Sequence, residues 1–128
     1  MTVVGLVLIG IAAAIHLYVF VLESLRWMQP ATRATFGIRS EQEAEATRML
    51  AFNQGFYNLF LAVVAVAGIV LAGPLPVAAG ALLVAGAGSM IGAGAVLLAS
   101  SPRLWRAALV QLLPPGLGLL ALAVGALL

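Results

Sequence analysis

Cysteine, lysine and aspartate are absent from this chain, and charge of either sign is scarce: six arginines and four glutamates make up its 8% of charged residues. Without cysteine there can be no disulfide, thiolate metal site, cysteine-held iron–sulfur cluster or cysteine nucleophile. A soluble domain carries ~25% charged residues, and 128 residues that are 64% hydrophobic hold too few polar groups to cover a water-facing surface. The apolar residues are therefore expected to face lipid. The net charge of +2 comes from two surplus arginines. They form no basic stripe or aromatic-interleaved patch, so nucleic acid is not an expected partner. The first apolar run lacks a positive lead and a small-residue cleavage site, and reads as a retained helix.

What is present is four long apolar runs. Residues 3–28 form the first and end at Gln29-Pro30, because the residue before proline is pushed out of the helical region. Residues 31–44 are polar, and Ser40 followed by Glu43 has the spacing of a capping box, which starts a helix near Glu41. The second run spans 47–71, the third 77–99 and the fourth 104–127, the last interrupted by Pro114-Pro115. Gly73-Pro74-Leu75-Pro76 and Ser100-Ser101-Pro102 are the breaks between them. Each run is long enough to cross ~30 Å of hydrocarbon. The expected fold is all-α, a single antiparallel bundle of four transmembrane helices.

Arg26, Arg33, Arg39 and Arg48 flank the first loop, while Arg103 and Arg106 flank the third. The N-terminus, the second loop and the C-terminus carry no charged side chain. Arginine accumulates on the cytoplasmic side of membrane proteins, so both termini are expected to be extracytoplasmic. Trp27 and Trp105 beside these arginines suit the same interface.

Polar side chains within the spans are costly in lipid and mark candidate sites. The first span holds His16, Tyr18 and Glu23; the second holds Asn53, Gln54, Tyr57 and Asn58; the third holds Ser89 and the fourth Gln111. His16 and Glu23 are seven apart and share a helical face with Phe20 and Trp27. At ~1.5 Å per residue from the arginine side, Glu23, Asn53, Gln54 and Gln111 are expected at ~8–10 Å depth. His16, Tyr57, Asn58 and Ser89 are expected at ~16–18 Å, near the midplane. Matching depths point to one inward-facing polar cluster in the arginine-side half. The plain structural alternative is that the amides and Ser89 hold helices together, that Glu23 pairs with Arg26, and that His16 bonds to Tyr57 or Asn58.

Metal and cofactor chemistry finds no motif. His16 and Glu23 lie ~10 Å apart along the axis, and neither Glu-x-x-His nor His-Glu-x-x-His spacing occurs. No catalytic residue can be named. Gly88-x-x-x-Gly92, extended by Gly80, is a small-residue packing face. It suits another helix of the bundle or a second copy of the chain, although a chain this rich in alanine and glycine also produces the spacing by chance.

The stretch Ile15-His16-Leu17-Tyr18, with Glu23, Trp27, Phe36-Gly37 and Asn53-Gln54-Gly55-Phe56-Tyr57-Asn58, resembles a bacterial family of small membrane proteins, domain of unknown function thirteen-oh-four. The resemblance covers nearly the whole chain. It implies a four-helix protein of the bacterial inner membrane whose distinctive positions are the polar ones above. It implies no reaction, ligand or catalytic residue.

Three functions compete. The first is a permease- or channel-like protein that binds or moves a small solute or proton. In it Glu23 and His16 handle protons, Asn53, Gln54, Tyr57 and Asn58 coordinate, and Tyr18, Ser89 and Gln111 contribute less. At this size such a protein is expected to be a homo-oligomer or part of a larger membrane complex. The second is an accessory subunit packed through the third span. The third, a membrane-embedded enzyme on a lipophilic substrate with His16 as base, lacks a nucleophile or metal set, so catalysis is the least favoured. The topology is open to direct test: reporters fused at Leu128 and Gly73 should read outside and one near Arg39 inside. A cytoplasmic C-terminus would overturn the orientation.

Overall fold

A computed structural model describes residues 2–127. Among them no strand occurs, and four helical stretches are long and apolar enough to cross a membrane: Thr2–Leu25, Glu41–Leu71, Pro76–Ser100 and Pro102–Leu127. Helices are the form such runs must take, because backbone groups in hydrocarbon can be satisfied only within the segment.

Helix α1 covers Thr2–Phe20 and continues as a wider π-turn over Val21–Leu25. Arg26 then leaves helical geometry, at φ −126° and ψ 16°, so the first span stops at Leu25, short of Met28. Pro30 opens the short helix α2, Pro30–Phe36, behind an extended Gln29. Gly37, at φ 70°, closes it, with Ile38 N–H donating to Arg33 O (2.9 Å) and Gly37 N–H to Ala34 O (3.3 Å). A left-handed residue is what such a helix end requires, and glycine takes it without strain.

Helix α3, Glu41–Leu71, starts where the capping box places it: Ser40 Oγ accepts from Glu43 N–H at 3.1 Å. The return bond is displaced by one residue, since the Glu43 carboxylate accepts from Arg39 N–H (2.9 Å). Helix α4 covers Pro76–Ser100, a 3₁₀ turn occupies Pro102–Leu104, and helix α5 covers Trp105–Leu127. The expected interruption at Pro114-Pro115 is absent, because both prolines lie inside a continuous helix. They still lack N–H groups, so the carbonyls of Val110 and Gln111, four residues earlier, lose their intrahelical donors.

The four long helices form a ring in the order α1, α3, α4, α5, with α1 and α4 on a diagonal. Every neighbouring pair runs antiparallel. The half of the bundle nearer the second loop and the termini is filled by Ile9, Ala12, Ala13, Ala62, Ala65, Leu83, Ala87 and Met90, all buried in one cluster. Small residues set the helix separations there. A Cβ on Gly118 would lie 2.7 Å from Ile9 Cγ1 and 3.1 Å from Gly5 O, and one on Gly86 would lie 3.1 Å from Ala65 N.

Gly80, Gly88 and Gly92 do not take part: a Cβ at any of them would meet nothing within 4 Å. Packing of this face against another helix of the bundle is thereby corrected. The buried positions of α4 are Ala79, Leu83, Gly86, Ala87, Met90 and Gly94. At ~100° per residue, Gly88 lies ~200° around the helix from Gly86. Gly118→Ala should therefore destabilise the bundle by about 1–3 kcal/mol, the usual cost of overpacking, whereas Gly80→Ala should leave stability unchanged or raise it by up to about 1 kcal/mol. Thermal unfolding in detergent distinguishes the two.

Candidate functional site

The π-turn at the end of α1 is what brings the carboxylate to α3. A π-turn bonds residue i to i+5 and places one extra residue in the turn, which re-aims Glu23 and Ser24 relative to the preceding helix. α3 meets them with Gly55, where backbone approach is so close that a Cβ would collide with Ser24 Oγ and lie 3.0 Å from Ser24 N and 3.1 Å from Glu23 Cβ. Ser24 Oγ donates to Phe52 O at 2.8 Å. One turn further along α3, Asn58 Nδ2 donates to Glu23 Oε2 at 2.9 Å and to Gln54 O at 3.2 Å. Both side chains of this pair are buried, Glu23 at 9% and Asn58 at 6% exposure. The carboxylate partner is therefore Asn58 and not Arg26, which is exposed. Among the described residues the ion pair is Arg48–Glu45, 3.7 Å apart at the surface.

The expected depths need the same correction. Asn58 meets Glu23 itself, although its count along the second span placed it level with His16. The first helix ends at Leu25, and residues 26–28 are not helical, so a count at the helical rise from Met28 does not put α1 and α3 in register.

The remaining candidates separate into three places. Glu23, Asn58, Gln54, Gln111 and Tyr18 border a hollow of about 690 Å³ between all four long helices and α2, walled mainly by apolar groups such as Val19, Leu22, Phe36 and Leu97. Asn53, Gln54 and Tyr57 are exposed on the outer side of α3 and border a shallower hollow of about 510 Å³ with Trp27. Glu23 borders both. Ser89 is exposed on α4. The single inward cluster does not form, because the buried strip of α3 runs through Ala51, Gly55, Asn58 and Ala62. Four polar positions spread over ~140° of helix exceed that strip.

His16 stands alone. It is fully buried, with Nδ1 2.9 Å from Ala12 O and Nε2 unpartnered, and it bonds neither Tyr57 nor Asn58. A carbonyl can only accept, so Nδ1 carries the proton of that bond, and Nε2 of the neutral ring is a bare acceptor. Among the described residues no three His, Asp or Glu side chains gather where a metal could be held.

Two residues that organise the site escaped the sequence reading, Ser24 and Gly55. The signal was there in Gly55, a glycine in the middle of an amide-rich helical run. At the mouth of the hollow, Phe36 of α2 packs on Trp27, with ring centroids 5.2 Å apart.

A family model described as Protein of unknown function (DUF1304) matches residues 10–123. The chain belongs to this family. No curated protein and no solved structure matches it. The DUF1304 match takes in every residue that lines the hollow.

The Glu23–Asn58 bond generates a prediction. Asn58→Leu leaves a buried carboxyl without its donor and should cost about 1–3 kcal/mol. Glu23→Gln keeps an accepting oxygen and should cost less. In a cycle of Glu23→Leu with Asn58→Leu, unfolding in detergent should return a coupling of about 1 kcal/mol, within the range seen for interhelical bonds in membranes. Additive effects would show that the bond contributes no stability.

Proposed function

We propose that this DUF1304 protein binds a small lipophilic or amphiphilic solute in the hollow between its four helices and acts as a permease-like carrier for it. The observation that carries the reading is the contrast between the two halves of the bundle. One half is filled by a core of alanine, glycine, leucine and methionine, and the other holds about 690 Å³ of space. Ligand sites of soluble and membrane proteins occupy ~300–1,000 Å³ with mainly apolar walls and few polar groups, a description that fits this hollow. All six arginines lie toward its mouth, so on the positive-inside rule the mouth faces the cytoplasm.

A second reading, an accessory subunit or an oligomer, is favoured by one observation. The outer face of α4 at Gly80, Gly88 and Gly92 is open and would let another membrane helix approach closely.

Ligand-induced stabilisation tests the first reading. A panel of lipophilic solutes should include members that raise the melting temperature of the wild type, by about 2.7 kcal/mol of stability at a hundredfold excess over Kd. Ala107→Trp, which fills the hollow, should abolish the gain while itself remaining folded. Equal gains in both proteins, or none in either, would remove the hollow as a binding site. Foreign subunits co-purifying in fixed ratio would favour the second reading.

A further inference from the structure

The groups that Glu23 and Asn58 leave unspent at the hollow are acceptors. Asn58 has two N–H groups and uses both, on Glu23 Oε2 and on Gln54 O, which leaves only its Oδ1, an acceptor. Glu23 Oε1 receives no hydrogen bond from the described residues. Val110 and Gln111 border the hollow, and their carbonyls have lost their helical donors to Pro114 and Pro115.

The donors that border the hollow are few and placed elsewhere. Tyr18, Gln54, Ser100 and Arg106 are exposed, and Arg106 lies over the Trp105 ring at 5.3 Å. The half-buried Gln111 amide is the one remaining inner donor among the amides. A buried acceptor that meets no donor loses its hydration without compensation. An occupant that supplies donors recovers that loss, and one that brings only acceptors deepens it.

We infer that the hollow selects a lipophilic molecule whose polar end carries hydrogen-bond donors, an amine or a hydroxyl, over one of the same body that ends in an ether or a carboxylate. The inference rests on the proposed reading of the hollow as the ligand site and names the class of ligand it takes. The apolar walls hold the body, and the polar end lies against Glu23 and the freed carbonyls of α5. Discrimination of this sort is steep because a mismatched ligand leaves protein groups unpaired inside the site.

A matched series of naphthyl compounds tests it in the intact protein, read as the concentration that half-saturates thermal stabilisation. The probes are naphthylethylamine, naphthylethanol, the methyl ether of that alcohol, naphthylacetate, and the N,N,N-trimethylated amine. The amine and alcohol should act at concentrations at least about tenfold lower than the ether and the acetate, as expected for about 1.4 kcal/mol of pairing. An amine tighter than the alcohol would assign the contact to an ionised Glu23, and equal affinities would assign it to hydrogen bonding alone; both support the inference. A trimethylated amine as tight as the parent would overturn it, because charge without a donor would then suffice. An ether or acetate as tight as the alcohol would overturn it while leaving the hollow as the ligand site. No stabilisation by any member would instead remove the hollow itself. Replacing Pro114 and Pro115 together by alanine restores donors to the Val110 and Gln111 carbonyls, and should narrow the preference for donor-bearing probes at least about threefold without removing binding. An unchanged preference in that variant would exclude the α5 carbonyls from the contact.

Discussion

Helices in lipid gain no hydrophobic drive from pairing with each other, since the tails around them are as apolar as their own side chains. Contact distance decides how firmly they hold, and in this bundle contact distance is set by residues with little or no side chain. Gly5 against Gly118, Gly68 against Leu83, and Gly86 against Ala65 draw the ring together on the side of the second loop and the termini. Gly94 against Leu112 and Ala108 continues the seam between α4 and α5. At the hollow the same device continues in Gly55, which lets α3 approach Ser24 and Glu23.

The polar groups follow from the same constraint. A carboxyl group between helices needs a donor at hand, and Asn58 can supply one only because Gly55 lets α1 and α3 approach at Glu23 and Ser24. Ser24 fastens the same crossing through Phe52 O. Three small or polar residues therefore hold one carboxylate at the boundary between the inner hollow and the outer face of α3. Asn53 and Tyr57 lie on the outer side of that boundary.

The sequence made the architecture plain, because proline and glycine punctuate four runs that no soluble fold could accommodate. The start of α3 was legible from Ser40 and Glu43, and family membership from the amide-rich run at Asn53–Asn58. Which of those amides faces inward was not. The choice falls on Asn58 through the crossing at Gly55, a tertiary property with no periodic trace. The outward Gly88 and Gly92 carry the same spacing as a true packing face, and only their rotation from Gly86 reveals that they are unused.

The π-turn at Val21–Leu25 also bears on how the chain can change in length. A helix that accommodates one surplus residue in a single turn stays helical when that residue is removed. What lies beyond the cut would keep nearly its place, because the turn closes from i→i+5 to i→i+4 bonding in step with the lost residue. Loss of one residue between Phe20 and Leu22 would leave a shorter, regular α-helical span with the carboxylate still close to the α3 crossing. The turn thus acts as a phase adjuster between the part of α1 that packs the core and the part that forms the site, and it can give up one residue without either losing its helix.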